Sequence, residues 1–153
     1  MNTLTSTILA LALILCCAMP SFADNTAVDS YTVNLEDGYY IVCTVYETPS
    51  VQTYNASATR VKSGNTTAYL YDNNDERIAS ATVYGTFEYD GSRAEAISAR
   101  YSYDIYNSAW SLDSGRAYCD GDTAVADVTF GKFLAKDLEL IVTLTCSPDG
   151  VLS

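Results

Sequence analysis

The residues of this sequence that could do chemistry are its carboxylates, tyrosines and cysteines, because the 153-residue chain contains no histidine. Serine–histidine and cysteine–histidine nucleophiles are therefore excluded, as are zinc sites that use histidine ligands. A hydrolase would need two carboxylates as acid and base, one on each side of a scissile glycosidic bond. The chain has 19 acidic residues, and their spacing singles out no such pair.

One acidic segment has the ligand types of a calcium loop. Asp72, Asn74 and Glu76 alternate along the chain, and Ca²⁺ prefers side-chain oxygens of this kind. The EF-hand pattern is broken, because Arg77 stands where that loop requires glycine and Val83 where it requires glutamate. The segment therefore predicts either a looser calcium site or a solvated turn between two strands. No other cofactor is expected.

Three cysteines follow the N-terminal leader: Cys43, Cys119 and Cys146. An exported domain normally oxidises a pair of its cysteines. Cys43 and Cys146 both fall on apolar faces of predicted strands, so we predict a disulfide between them. Cys119 falls at the edge of a turn beside acidic residues and is predicted to be free. A reducing habitat would leave all three as thiols.

Tyrosine is the compositional outlier of the chain, with thirteen residues. Tyr69, Tyr71, Tyr84 and Tyr106 fall on polar faces of predicted strands. A tyrosine combines a large apolar ring with a hydroxyl, which suits sugar stacking or protein contact. These four are therefore candidate binding residues. The alternative is structural, because tyrosine also forms strands well and is readily half-buried.

Period-two alternation of apolar and polar residues predicts the elements that must position these side chains. It is clearest over residues 39–47, 81–89, 123–130 and 138–146. Glycines with an Asx or Ser neighbour predict turns at 36–38, 63–65, 90–91, 113–115, 120–122 and 149–150. Helical spacing competes with strand over residues 92–100 and 130–141, and strand is preferred for both. The pattern predicts an all-β, antiparallel, immunoglobulin-like sandwich, with a barrel as the alternative.

The N-terminus has the features of an export signal. The apolar run ILALALILCCAM at residues 8–19 is too short to span a bilayer, and Ser21 and Ala23 form a small-x-small cleavage site. Residues 1–23 are therefore predicted to be removed, which leaves 24–153 as one secreted, extracellular domain with no membrane span. A lipid anchor at Cys16 or Cys17 and a retained anchor are the alternatives.

From residue 81 onward the chain resembles small secreted proteins of Gram-positive bacteria whose function is uncharacterised. The resemblance rests on GTFEYDG at residues 85–91, SAWSLDSGRA at 108–117 and TLTCSPDGVLS at 143–153. It implies a secreted β-sandwich and transfers no catalytic residue.

The net charge of −11 argues against nucleic-acid binding, because an acidic chain cannot release counterions from phosphates. The sequence therefore favours a non-enzymatic binding or interaction module at a bacterial cell surface, whose partner is an extracellular glycan or protein. A carboxylate hydrolase acting on extracellular glycans and a calcium-stabilised structural protein are the alternatives.

Overall fold

The computed structural model of the chain describes residues 25–49 and 59–153, so the predicted signal peptide lies outside the described residues. Eight β-strands follow one another in the described parts, with one 3₁₀ turn at Glu36–Gly38. No helix there is long and apolar enough to cross a membrane. The strands are β1 (Thr26–Asn34), β2 (Tyr40–Thr48), β3 (Arg60–Tyr71), β4 (Arg77–Tyr89), β5 (Ala94–Ile105), β6 (Trp110–Asp120), β7 (Thr123–Lys132) and β8 (Leu138–Thr145).

The strands form two antiparallel sheets. Sheet A contains β1 to β5 in chain order, and sheet B contains β6, β7 and β8 in chain order. Sheet B packs mainly on β3, β4 and β5, and the two sheets do not close into a barrel. The predicted antiparallel β-sandwich is thus confirmed. Because each strand pairs with its neighbour in sequence within each sheet, and the chain changes sheet once between β5 and β6, both sheets are meanders and differ from the Greek-key order of an immunoglobulin domain.

The core lies between the sheets and follows from the predicted alternation. In β4 the inward residues include Val83 and Phe87, and in β7 they include Val128 and Phe130; all four are fully buried. Their neighbours along each strand point away from the core, as a two-residue period requires. Both segments with competing helical spacing form strands where they flank the core, since β5 starts at Ala94 and β7 runs to Lys132.

The sandwich has two distinct ends. The upper end carries the turns at residues 36–38, 72–76, 106–109 and 133–137, and the lower end carries the turns at 90–93 and 121–122. At the lower end the C-terminal residues fold back, and Ser153 exchanges two main-chain hydrogen bonds with Thr145. The Lys62 ammonium lies 2.9 Å from the Glu47 carboxylate and donates to the Gly150 carbonyl, which closes this end.

Two predicted turns are wrong, because their glycines lie inside strands. Gly64 sits in β3, where a Cβ would lie 2.5 Å from the Tyr46 carbonyl oxygen and 2.5 Å from a Leu152 methyl carbon. Gly115 sits in β6, where a Cβ would meet the Tyr101 ring. Both glycines therefore permit close packing between neighbouring segments, and neither reverses the chain direction.

Candidate binding face

The outer surface of sheet A brings the predicted binding residues to one side of the molecule. Cross-strand partners share a face of a sheet, so the register of β1 to β4 identifies the residues that point away from the core. We call this surface the tyrosine face. It comprises Ser30, Thr32, Asn34, Tyr40, Val42, Thr44, Tyr46, Thr48, Ser63, Asn65, Thr67, Tyr69, Tyr71, Ser80, Thr82, Tyr84 and Thr86.

The middle of the tyrosine face is uncharged, although the chain has a net charge of −11, and the outward charged residues of β1 to β4 are Arg77, opposite Tyr71, and Glu88, opposite Val61. Charged side chains of the described residues flank it on two sides. Arg77 and Glu88 stand at the two ends of β4, and Arg100 and Asp104 lie on β5. The middle of the face is therefore neutral in a chain that is strongly acidic overall.

A cluster of tyrosines around one arginine forms the upper end of the face. The Arg77 guanidinium lies 4.3 Å from the ring centroid of Tyr69 and 5.3 Å from that of Tyr106. It donates two hydrogen bonds, of 3.2 and 2.9 Å, to the Tyr71 hydroxyl. These bonds are the main reason that the pKa of Arg77 is raised. Tyr40 stacks on Tyr71 with centroids 5.0 Å apart.

Tyr84 lies apart from this cluster but on the same face. Its cross-strand partners are Asn65 on β3 and Arg100 on β5, and the Arg100 guanidinium lies 5.6 Å from its ring centroid. Asn65 is buried between the tyrosines of the neighbouring strands, Tyr46 and Tyr84. The face therefore has two aromatic positions, the tyrosine cluster around Arg77 and Tyr84 beside Arg100.

Paired hydroxyl groups lie on both sides of Tyr84 along β4. The Thr67 and Thr82 hydroxyls lie 2.9 Å apart across β3 and β4, and Ser63 and Thr86 repeat the arrangement at 3.1 Å. Each pair keeps unused acceptor capacity, because a hydroxyl has two lone pairs and one proton. The middle of the face can therefore form further hydrogen bonds with a hydroxyl-rich ligand.

All four tyrosines predicted as binding residues lie on this side of sheet A, and three of them surround Arg77. Arg77 and Tyr40 also belong to the cluster and were not predicted from the sequence. Arg77 follows the polar 72–76 turn in sequence, and a register irregularity between Leu70 and Tyr71 places it opposite Tyr71. That irregularity has no clear signal in the sequence.

The predicted calcium ligands lie in the turn between β3 and β4. The Asp72 carboxylate accepts main-chain hydrogen bonds of 2.9 Å from both Asn74 and Glu76, and these bonds lower its pKa. Tyr40 donates to Asp75 in the same turn. Within residues 25–49 and 59–153, no three His, Cys, Asp or Glu side chains are grouped as a metal site requires. The contacts found are those of an Asx-stabilised turn, and calcium binding stays a prediction.

The predicted disulfide between Cys43 and Cys146 is not formed in this structure, where Cys43, Cys119 and Cys146 are all free. Cys43 pairs with Ala68 in the middle of sheet A, whereas Cys146 bridges to Leu152, which contacts Gly64. Gly64 and Ala68 are separated by about 13 Å along β3, so Cys43 and Cys146 lie at different positions along the strand direction. Alternation placed both cysteines in the core correctly but does not fix their height along the strands.

The described carboxylates offer one close cross-strand pair, Glu88 with Glu95. They line a pocket of about 40 Å³ together with Asp90 and Arg93. Sites for small organic ligands usually measure about 300–1,000 Å³. A pocket this small cannot enclose a sugar ring, so this pair does not provide the cleft that a glycosidase requires.

Comparison of the chain with protein-family models, with curated proteins and with solved structures finds no match in any of the three.

Proposed function

We propose that this protein is a secreted, non-enzymatic binding module and that the tyrosine face contacts an uncharged extracellular glycan. The observation that carries the proposal is that the outward residues of four described strands carry charge only at the two ends of β4, at Arg77 and Glu88, in a chain of net charge −11. The acidic remainder would repel anionic polymers and leave neutral, hydroxyl-rich chains as the favoured ligands.

The two most exposed tyrosines of this side are the ones available for stacking. Tyr106 is 49% exposed and Tyr84 is 37% exposed, whereas Tyr69 and Tyr71 are half-buried and Tyr71 is stacked on Tyr40. Tyr69 and Tyr71 therefore support the site, and Tyr84 and Tyr106 would contact the sugar rings.

The separation of these two tyrosines sets the size of the ligand. Tyr84 lies beside Arg100 on β5, and Tyr106 follows the end of the same strand. The distance along β5 from Arg100 to Tyr106 is about 20 Å, taking roughly 3.3 Å per residue. A ligand that reaches both rings must be an extended oligosaccharide that runs along the strands.

The test is binding of the mature protein to arrays of glycans and cell-wall polysaccharides, followed by titration of the best ligand. Tyr84→Ala and Tyr106→Ala should each weaken binding by about 10-fold, since aromatic anchors dominate such contacts. The matched control is Tyr118→Ala. Tyr118 is 41% exposed on sheet B and has the Arg116 guanidinium 5.3 Å from its ring centroid, so it shares the environment of Tyr84 on a different face.

Thermal unfolding of each variant separates folding from binding. The alanine substitutions at the three exposed tyrosines should change the melting temperature little. Tyr71→Ala should lower the melting temperature, because it removes the partner of both Arg77 and Tyr40. The proposal fails if Tyr118→Ala weakens binding as much as Tyr84→Ala does. It also fails if the bound ligands are polyanions.

A further inference from the structure

Strand β8 leaves main-chain groups unpaired along one edge of sheet B. Among the described residues, β8 pairs with β7 on one side, and on its other side only Thr145 is bonded, to Ser153. Residues of an antiparallel strand alternate in the side to which their N–H and C=O groups point. Glu139, Ile141 and Thr143 therefore direct both groups towards the same edge as Thr145, where they have no partner in the described chain.

This edge also lacks the devices that normally prevent strand addition, which are bulges, prolines and lysines. The pairings that involve β1, β5 and β6 each contain a register irregularity, whereas the pairing of β7 with β8 contains none. The sequence of β8, LELIVTLT, has neither proline nor lysine. Ile141 is 62% exposed on this strand. The edge of β8 is thus regular, and Glu139 is the one charged residue of this strand.

Sheet A extends beyond this edge and forms a ledge. Sheet B contacts mainly β3, β4 and β5, so the layer opposite β1 is uncovered by the described residues. Tyr31 and Val33 of β1 pair with Cys43 and Ile41 and therefore face this layer. They are 43% and 41% exposed, although their partners are buried.

We propose that a second copy of this chain fills the uncovered layer, in a symmetric dimer whose two-fold axis runs parallel to the strands. Rotation about this axis places β1 of the partner subunit next to β8, and places its sheet A in the layer of sheet B. Each layer then contains three strands from one copy and five from the other. Because sheet A is wider than sheet B, the projecting part of sheet A in one copy fits the uncovered layer of the other. A strand of an unrelated protein would not have this match in width.

Strand direction and height agree with this arrangement. The rotation preserves the direction of every strand. The β1 strand of the second copy therefore runs towards the upper end, and the β8 strand beside it, from the first copy, runs towards the lower end. The contact is therefore antiparallel, as is every other pairing in the described chain. Ser153 occupies only the lower end of the β8 edge, and the irregularity of β1 lies at Ala27 to Asp29, also low. The free upper parts of both strands meet, and the interface has the self-complementary character of a two-fold dimer.

The test is sedimentation equilibrium of the mature protein from about 1 to about 100 µM, a range that brackets dimers of moderate affinity. Reducing buffer keeps the exposed Cys119 from linking copies. The wild type should be dimeric at the upper concentrations. Added salt should strengthen the dimer, because the axis brings the two Asp29 carboxylates to the same height.

Two substitutions address the two halves of the interface. Val33→Lys places a charge on the ledge and should weaken the dimer by at least about 30-fold. Ile141→Pro removes an N–H that points into the free edge and leaves the β7 pairing intact, so it should weaken the dimer by at least about 10-fold. The matched control is Ile97→Lys, which adds the same charge at an exposed apolar residue of β5 and should change the affinity less than about twofold.

A wild type that stays monomeric throughout this range overturns the proposal. So does a dimer that tolerates both Val33→Lys and Ile141→Pro, since it must use another face. Circular dichroism of each variant verifies folding, and Val33→Lys decides alone if Ile141→Pro does not fold. Hydrogen exchange gives an independent readout, because the amides of Glu139, Ile141 and Thr143 should become protected as the concentration rises.

Discussion

Replacing Gly64 by alanine should destabilise the protein, although the same substitution in an uncrowded strand stabilises by about 0.4–1 kcal/mol. Gly64 is buried in β3, and an added Cβ would lie 2.5 Å from the Tyr46 carbonyl oxygen. That oxygen belongs to the main chain of β2 and cannot rotate away. Overpacking of this kind costs about 1–3 kcal/mol. The net loss expected for Gly64→Ala is about 1–2 kcal/mol.

Urea unfolding of wild type and variant measures this loss, and the midpoint should fall without a change in slope. The same Cβ would also lie 2.5 Å from a Leu152 methyl carbon, so Gly64→Ala is repeated in a Leu152→Ala background. Because the carbonyl contact cannot relax, most of the loss should persist there. Unchanged or increased stability of Gly64→Ala would refute the close packing of β2 on β3.

Three further predictions concern buried or hydrogen-bonded groups. The Thr66 hydroxyl is buried without a hydrogen-bond partner among the described residues, so Thr66→Val should leave the free energy of unfolding unchanged or raise it by about 1 kcal/mol; a clear loss in urea unfolding would contradict this. Thiol titration of the folded, reduced mature protein should detect Cys119 rapidly and the buried Cys43 and Cys146 only in denaturant, since burial raises the pKa of both thiols. Hydrogen bonds from Ser92 and from the Arg93 main chain lower the pKa of Asp90 to about 2. The folded pKa of Asp90 lies below its unfolded value, so the hydrogen bonds to the ionised carboxylate stabilise the folded protein fully above the unfolded pKa. This stabilisation is lost as the pH falls towards 2. Ser92→Ala should raise this pKa in an NMR titration, and an unchanged value would show that Ser92 is not the cause.

The strands that flank the core could be predicted from the sequence because they alternate strongly. The predicted segment 138–146 matches β8, and the predicted segment 81–89 lies within β4, which begins four residues earlier. The turns predicted at Gly64 and Gly115 are wrong, because a glycine beside Asx or Ser has the same local pattern in a turn and at a point of close packing. Only the partner segment, Tyr46 or Tyr101, distinguishes the two cases. That information is not local in the sequence.

The candidate site was predictable only in part for a related reason. Alternation placed Tyr69, Tyr71, Tyr84 and Tyr106 on polar faces, and these faces belong to the same sheet. Alternation cannot show that Arg77 would lie against three of these rings, because the contacts depend on strand order and on the irregularity beside Tyr71. Alternation also does not give the position of a residue along the strand direction. The disulfide was therefore predicted between Cys43 and Cys146, which are separated in the structure.

The two proposals together constrain how a ligand could be held. A two-fold axis parallel to the strands and lying between the layers turns the two tyrosine faces in opposite directions. One glycan chain could not lie on both faces without bending around the dimer, so simultaneous binding to one short oligosaccharide is excluded. Two separate chains could bind at once, and a surface that displays many chains would be bridged with increased avidity. Val33→Lys should therefore weaken binding to a dense glycan surface while leaving the affinity for a soluble oligosaccharide unchanged.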